Sequence, residues 1–161
     1  CEGGTVMRRR DREVTDPARI REIVAACTCC RLGLCSGGRA YIVPLNFGFT
    51  EEAGRYTFYF HSAPAGKKLD CLRRWPEATL TAAEVLGPER FSVRYRSAVA
   101  CGRVIPVEDP AEKLEALRAI TRQHCPQDLP DFDAYAPPIL KSTFVWRMEV
   151  SEITGKERTP G

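Results

Sequence analysis

Histidine is scarce in this chain: His61 and His124 are the only two in 161 residues, and that narrows the chemistry available. A Ser–His–Asp hydrolase is unsupported, because no G-x-S-x-G pattern occurs. A metal centre needs a tighter cluster of imidazole, thiolate and carboxylate than the chain offers. Glycine-rich nucleotide loops are missing too. There is neither a G-x-G-x-x-G nor a phosphate-cradling G-x-x-x-x-G-K, and Thr154-Gly155-Lys156 lacks the upstream glycine. No run approaches the ~20 apolar residues of a membrane span, and no secretory apolar core is found near the start. A cytoplasmic, membrane-free protein is the resulting expectation. Met7 begins a natural-looking Met-Arg-Arg-Arg-Asp opening, with residues 1–6 a remnant or short extension before it.

A large excess of charge of one sign is also absent. The formal net charge is +3, which assists small anionic ligands but is no basic stripe for nucleic acid. Arg8-Arg9-Arg10 is followed at once by Asp11, Glu13 and Asp16, so an N-terminal arm over 1–15 reads as solvated. With 43% hydrophobic and 28% charged residues, the chain suits one globular domain over 1–161 with a real core.

Cysteine, by contrast, is plentiful at eight. Cys27 and Cys30 form a C-x-x-C, yet a zinc site needs a second pair at similar spacing, and none exists. A redox C-x-x-C opens a helix, whereas this one straddles a helix end and a strand start. Reduced structural thiols are expected, with Cys101 a small buried hydrophobe in an apolar strand.

Asp16-Pro17 marks a helix start, and Ile20, Ile23, Val24 and Cys27 recur at helical spacing over 17–27. Residues 31–35 read as a strand and Ser36-Gly37-Gly38 as its hairpin turn. Ala40 to Phe49 alternates as one strand, with Tyr41, Val43, Leu45, Phe47 and Phe49 on one side. Pro44, lacking an N–H, belongs on an edge or at a bulge. Another strand over 55–60 leads to a helix with Leu69, Leu72 and Trp75 inward, ended by Pro76. Strands over 78–85 and 91–107 follow; the second sets Val93, Tyr95, Ser97, Val99 and Cys101 on one face and Arg94 and Arg96 on the other. Asp109-Pro110-Ala111-Glu112 resembles a capping box before Leu114, Leu117 and Ile120. The proline-rich segment 125–138 is expected as an ordered loop with at most one helical turn, and 142–153 as a closing strand. Hairpin-linked strands with marginal helices indicate an α+β fold: an antiparallel, closed or nearly closed barrel with peripheral helices.

The segment Phe58-Tyr59-Phe60-His61-Ser62-Ala63-Pro64-Ala65-Gly66-Lys67-Lys68-Leu69 carries the chemistry. An aromatic strand delivers imidazole, hydroxyl and two ammonium groups to a helix N-terminus, a seat for phosphate. Arg94-Tyr95-Arg96-Ser97 adds an aromatic and basic strand. A flat cofactor with a phosphate tail would use both. Bland readings stand beside these: Lys67 and Lys68 as solvated lysines, His61 as a capping histidine, Arg94 and Arg96 paired with carboxylates such as Glu84, Tyr95 structural, and Trp146 in the core.

Together these motifs, with Met7–Glu13, Cys30-Arg31-Leu32-Gly33-Leu34, Tyr41-Ile42-Val43-Pro44-Leu45-Asn46-Phe47-Gly48 and Val150–Lys156, resemble the pyridoxamine 5'-phosphate oxidase-like split-barrel flavoproteins, and most of all their nitroimidazole-resistance branch. The resemblance implies a homodimer holding two FMN molecules in clefts between subunits. Val43, Pro44, Leu45 and Asn46 would lie along the isoalloxazine, His61 and Ser62 near the ring and ribityl-phosphate, and Lys67 and Lys68 on the phosphate. Tyr95, Arg96 and Ser97 match a cleft-lining strand, and His61 is the catalytic candidate. The C-terminal substrate-binding pattern of pyridoxamine phosphate oxidases proper is not found after Trp146-Arg147, so oxidation of that substrate is not expected. The leading expectation is an FMN-dependent oxidoreductase acting on small aromatic electrophiles, nitroimidazoles among them. A non-catalytic carrier or sensor of flavin or haem on the same fold is the alternative.

Overall fold

A computed structural model of the chain describes residues 7–158. A short 3₁₀ turn at Arg10–Arg12 leads into β1 (Glu13–Val14) and α1 (Pro17–Ala26). Then come β2 (Cys30–Ser36), β3 (Arg39–Leu45), β4 (Gly48–Glu52), β5 (Arg55–Ser62) and α2 (Lys67–Arg74). The long β6 (Glu77–Glu89) and β7 (Ser92–Pro106) precede α3 (Pro110–His124), a 3₁₀ turn at Pro126–Asp131, α4 (Phe132–Ile139) and β8 (Phe144–Arg158). The strands form one antiparallel sheet in the order β3-β2-β6-β7-β8-β5-β4, with β1 paired to β8. No pairing between β3 and β4 closes it, which settles the barrel as open and split.

Two local signals act as expected. The Asp16 side chain accepts from the Ala18 N–H at 3.0 Å, and Pro17 takes the first helical position of α1. Gly37 and Gly38, at φ +58° and +78°, make the tight β2–β3 turn that only glycine adopts without strain.

Other expectations need correction. Residues 40–49 are not one strand: the chain breaks at Asn46-Phe47, and β4 leaves β3 to pair with β5. The break is fixed by α3, since His124 Nε2 lies 2.9 Å from the Phe47 carbonyl oxygen and 3.2 Å from its nitrogen. Trp75 is not core; it caps α2 and is 60% exposed, while Cys71 takes an inward place beside Leu69 and Leu72. Segment 125–138 is mostly helical, because Phe132 and Ala136 find a buried face against α3. The capping box is half formed: Asp109 accepts from the Glu112 N–H at 2.8 Å, but the Glu112 carboxylate turns to Arg147 at 2.7 Å. Cys101 is half-buried, its sulfur 3.6 Å from Thr79 Oγ1. The arm ends in β1, whose Val14 is buried, so 1–15 is not wholly solvated; residues 1–6 lie outside the described residues.

Two apolar clusters hold the sheet. The larger joins Ile23 and Val24 of α1, Leu32, Phe58, Leu69, Leu80, Ala98 and Met148 on the concave face. The smaller sets Leu117 and Ile120 of α3 and Phe132 of α4 against Tyr59 and Val145, on the other face of β5 and β8. On the outer face, helices cover the β4–β5–β8 end only. On the outer face of β3, β6 and β7, Ile42, Val85, Val93 and Val99 remain exposed, Val85 at 68%. Among the described residues no helix is long and apolar enough to cross a membrane, and no group of His, Cys, Asp and Glu could hold a metal ion.

Candidate functional site

The β5–α2 corner assembles most of the expected site. β5 runs out through His61 and Ser62, and Gly66 at φ +131° swings the chain into α2 with Lys67 and Lys68 in its first turn. Backbone N–H groups there have no preceding turn to bond to, and the helix dipole adds positive potential. Lys67 packs its ammonium nitrogen 4.4 Å from the centroid of the Tyr41 ring on β3. Neither Lys67 nor Lys68 makes an ion pair among the described residues. Val43, Pro44, Leu45, Lys67 and Lys68 line one cleft of about 310 Å³.

β3 is the open edge of the sheet, pairing only with β2 among the described residues. Edge residues offer unpaired backbone groups, and Pro44 fits there because it has no N–H to lose. A strand edge beside a dicationic helix start is a sound cradle for a heterocycle with a phosphate tail. A narrow recess joins this cleft through Leu45 and Lys68 and is lined also by His61, Ser62 and Trp146. Trp146 is 6% exposed, and its indole N–H is buried without a partner. Such a donor is costly unless something accepts from it. The unpaired lysines and the open strand edge fit a bound flavin phosphate.

His61 is held below its ordinary pKa, first by burial, then by the Lys68 ammonium and by His124. Burial also lowers Lys68. Ser62 Oγ donates to the Ala63 carbonyl at 2.9 Å, so its hydroxyl is already engaged locally. Asn46 is exposed just beyond β3 and lines neither hollow.

Tyr95, Arg96 and Ser97 do not join this cleft within one chain. His61 pairs with Val145 and Tyr95 with Arg158, at opposite ends of β8. That separation is roughly 40 Å of strand contour. Arg12 Nη1 donates to Tyr95 Oη at 3.5 Å, Arg96 pairs with Glu84 at 2.7 Å, and Ser97 Oγ donates to the Lys156 carbonyl at 3.4 Å. Arg94 and Arg96 lie on the side of β7 that buries Ala98 and Ala100, while Tyr95 and Ser97 share the outer side with Val93 and Val99. Sequence reasoning assigned Trp146 to the core; its burial agrees, and only the missing acceptor reveals its place beside the recess.

Residues 16–157 match the family described as pyridoxamine 5'-phosphate oxidase, and the chain belongs to that family. Its fold matches that of a candidate 5-nitroimidazole antibiotic resistance protein from Bacteroides thetaiotaomicron, with a TM-score of 0.76 and 30% identity over 90% of this chain and 86% of that one. A flavocytochrome from Azotobacter vinelandii gives a TM-score of 0.75 at 22% identity, covering 96% of this chain and 73% of its own. An FAD- and haem-binding protein from Mycobacterium smegmatis gives 0.76 at 18% identity, covering 92% and 74%. Those two share the fold. No curated protein matches the chain significantly.

Proposed function

We propose that this protein is a cytoplasmic FMN-dependent oxidoreductase, working as a homodimer, that reduces small aromatic electrophiles, nitroimidazoles among them. The observation that carries the reading is the meeting of two unpaired lysines, a helix start and the open β3 edge in one cleft. The family membership and the likeness to a candidate nitroimidazole resistance protein support it.

The flavin, when bound, supplies the electron transfer. Lys67 and Lys68 would neutralise the phosphate, and the backbone of Val43, Pro44 and Leu45 would line the ring, with Asn46 outside the hollow. His61 Nδ1 or Nε2 would hold the proton that a reduced substrate takes up, and its lowered pKa makes that role stronger in acid. The apolar outer face, with Ile42, Val85, Val93 and Val99 exposed, is the surface for a second copy. That pairing would bring Tyr95 and Ser97 of one subunit toward the cleft of the other.

The test is direct. Purified protein is mixed with FMN, freed of excess, and its visible spectrum recorded; the bound flavin is then reduced with a nicotinamide donor and offered a nitroimidazole. A flavin band followed by substrate-dependent reoxidation is expected. Protein that stays colourless ends the flavin reading, and bound flavin that is never turned over makes the chain a carrier.

A further inference from the structure

A second and larger groove lies on the other side of Lys67. It measures about 810 Å³ and runs between the β2–β3 hairpin and α2. That is within the range of about 300–1,000 Å³ typical of ligand pockets. Gly37 and Gly38 form one wall, with nothing within 4 Å of where a Cβ would stand on either. The opposite wall carries Lys67, Arg73, Arg74 and Trp75. The only carboxylate lining it, Asp70, is taken by Arg73 at 3.2 Å, and Arg74 makes no ion pair among the described residues. Trp75 ends the wall with its indole 60% exposed.

We propose that this groove binds the adenosine diphosphate half of a dinucleotide, an inference resting on the flavin reading for its neighbour. Lys67 lines both hollows, so a phosphate held there leads straight into the second groove. A further phosphate meets the unpaired Arg74 guanidinium, which suits phosphate oxygens in a bidentate geometry. The exposed indole then offers a flat face on which a purine stacks. Trp75 caps α2 through its backbone N–H alone: the helix buries Leu69, Cys71 and Leu72 and leaves the Trp75 indole outside. The bare glycine wall lets the ligand backbone approach closely.

The adenylate has two sources, a flavin dinucleotide or a nicotinamide donor, and the experiment separates them. Calorimetric titration with ADP at low salt is compared for wild type, Trp75→Ala and Arg74→Ala. Binding by wild type, weakened tenfold or more in each variant, is expected. FMN affinity should stay the same in both variants, which shows that they fold and that the flavin cleft is intact. If the flavin supplies the adenylate, FAD binds tenfold or more tighter than FMN and the variants erase the difference. If the donor supplies it, FAD and FMN bind alike and the KM for NADH rises in both variants. The proposal is overturned if ADP does not bind wild type, or binds all three proteins equally. FMN binding without ADP binding defeats this inference alone, whereas failure of both flavins to bind defeats the functional reading instead.

Discussion

The ammonium nitrogen of Lys67 stands over the Tyr41 ring, 4.4 Å from its centroid, and so joins the first residue of α2 to the open edge strand β3. A cation–aromatic contact at an exposed site contributes about 0.5–1 kcal/mol, enough to bias the lysine's rotamer without binding it fast. The lysine is thereby held beside Pro44 and Leu45, where the cleft needs positive charge.

Replacing Lys67 and Lys68 together by alanine should release FMN. Hydrogen bonds to charged groups contribute about 1.5–3 kcal/mol each, so tenfold or more in affinity is expected per lysine. The remaining affinity should depend less on salt than that of wild type, since the screened charges are gone. Fluorescence titration at two ionic strengths measures both effects. An unchanged dissociation constant would remove the lysines from the site.

Gly48→Ala should destabilise the fold severely. A Cβ at that position would lie 2.3 Å from the Ile120 nitrogen and 2.4 Å from the Ala119 carbonyl carbon, both backbone atoms of α3. Neither can move without shifting the helix, and overpacking of this kind costs about 3 kcal/mol or more. Thermal unfolding should fall by roughly 6–12 °C, at about 2–4 °C per kcal/mol for a chain of this size.

That glycine also marks where the sequence was readable and where it was not. The Asp16-Pro17 start, the Gly37-Gly38 hairpin and the edge position of Pro44 each follow from local chemistry, and each is where it was expected. Alternation across Asn46-Phe47 gave no sign of a break, because the cause is distant: a helix some seventy residues on reaches back through His124. Trp75 has the right spacing for a core position, yet the helix ends at Arg74 and the chain turns outward. The lysine corner was legible because its residues are adjacent in sequence. Residue chemistry and the family resemblance both join Tyr95, Arg96 and Ser97 to that corner, yet one chain alone keeps them at the far end of β8, a distance that residue type does not encode.

Gln123 should behave as a structural clasp. Its amide nitrogen lies 3.3, 2.9 and 2.7 Å from the carbonyl oxygens of Val24, Ala25 and Cys27, at the C-terminal end of α1. The Val24 carbonyl also accepts from the Cys27 N–H at 3.2 Å, so Gln123 supplements that cap and reaches the Ala25 and Cys27 carbonyls beyond it. Gln123→Ala should lower stability by about 0.5–1.5 kcal/mol, the net contribution of a typical intramolecular hydrogen bond. Chemical denaturation measures it, and Gln123→Glu, which cannot donate when ionised, should be no better.

The outer sheet face should hold two copies together. Val85 and Val99 are exposed at 68% and 40% on neighbouring strands, in a region that no helix covers. Val85→Asp with Val99→Asp places two carboxylates where the partner's apolar surface would press. Light scattering should then report a monomer in place of a dimer, with the circular dichroism of the fold retained. A wild-type chain that already scatters as a monomer would refute the pairing.

His61 allows the sign of a pH effect to be worked out. Its pKa is lowered in the folded chain, by burial first and then by Lys68 and His124, from the ordinary value of 6.5. The unfolded chain therefore binds the proton before the folded one does. Stability is greatest above the unfolded pKa and declines as pH falls from there to the lowered value, below which the loss is complete. Activity should move the opposite way: a proton donor with a depressed pKa is charged only in acid, so turnover at saturating flavin should rise as pH falls toward that value. Lys68→Met removes a neighbouring positive charge and should raise the His61 titration, which an imidazole NMR titration of the flavin-free protein follows directly. His61→Ala should flatten the acid limb of the rate profile. A limb that survives that substitution would place the proton elsewhere, with His124 the next group to test.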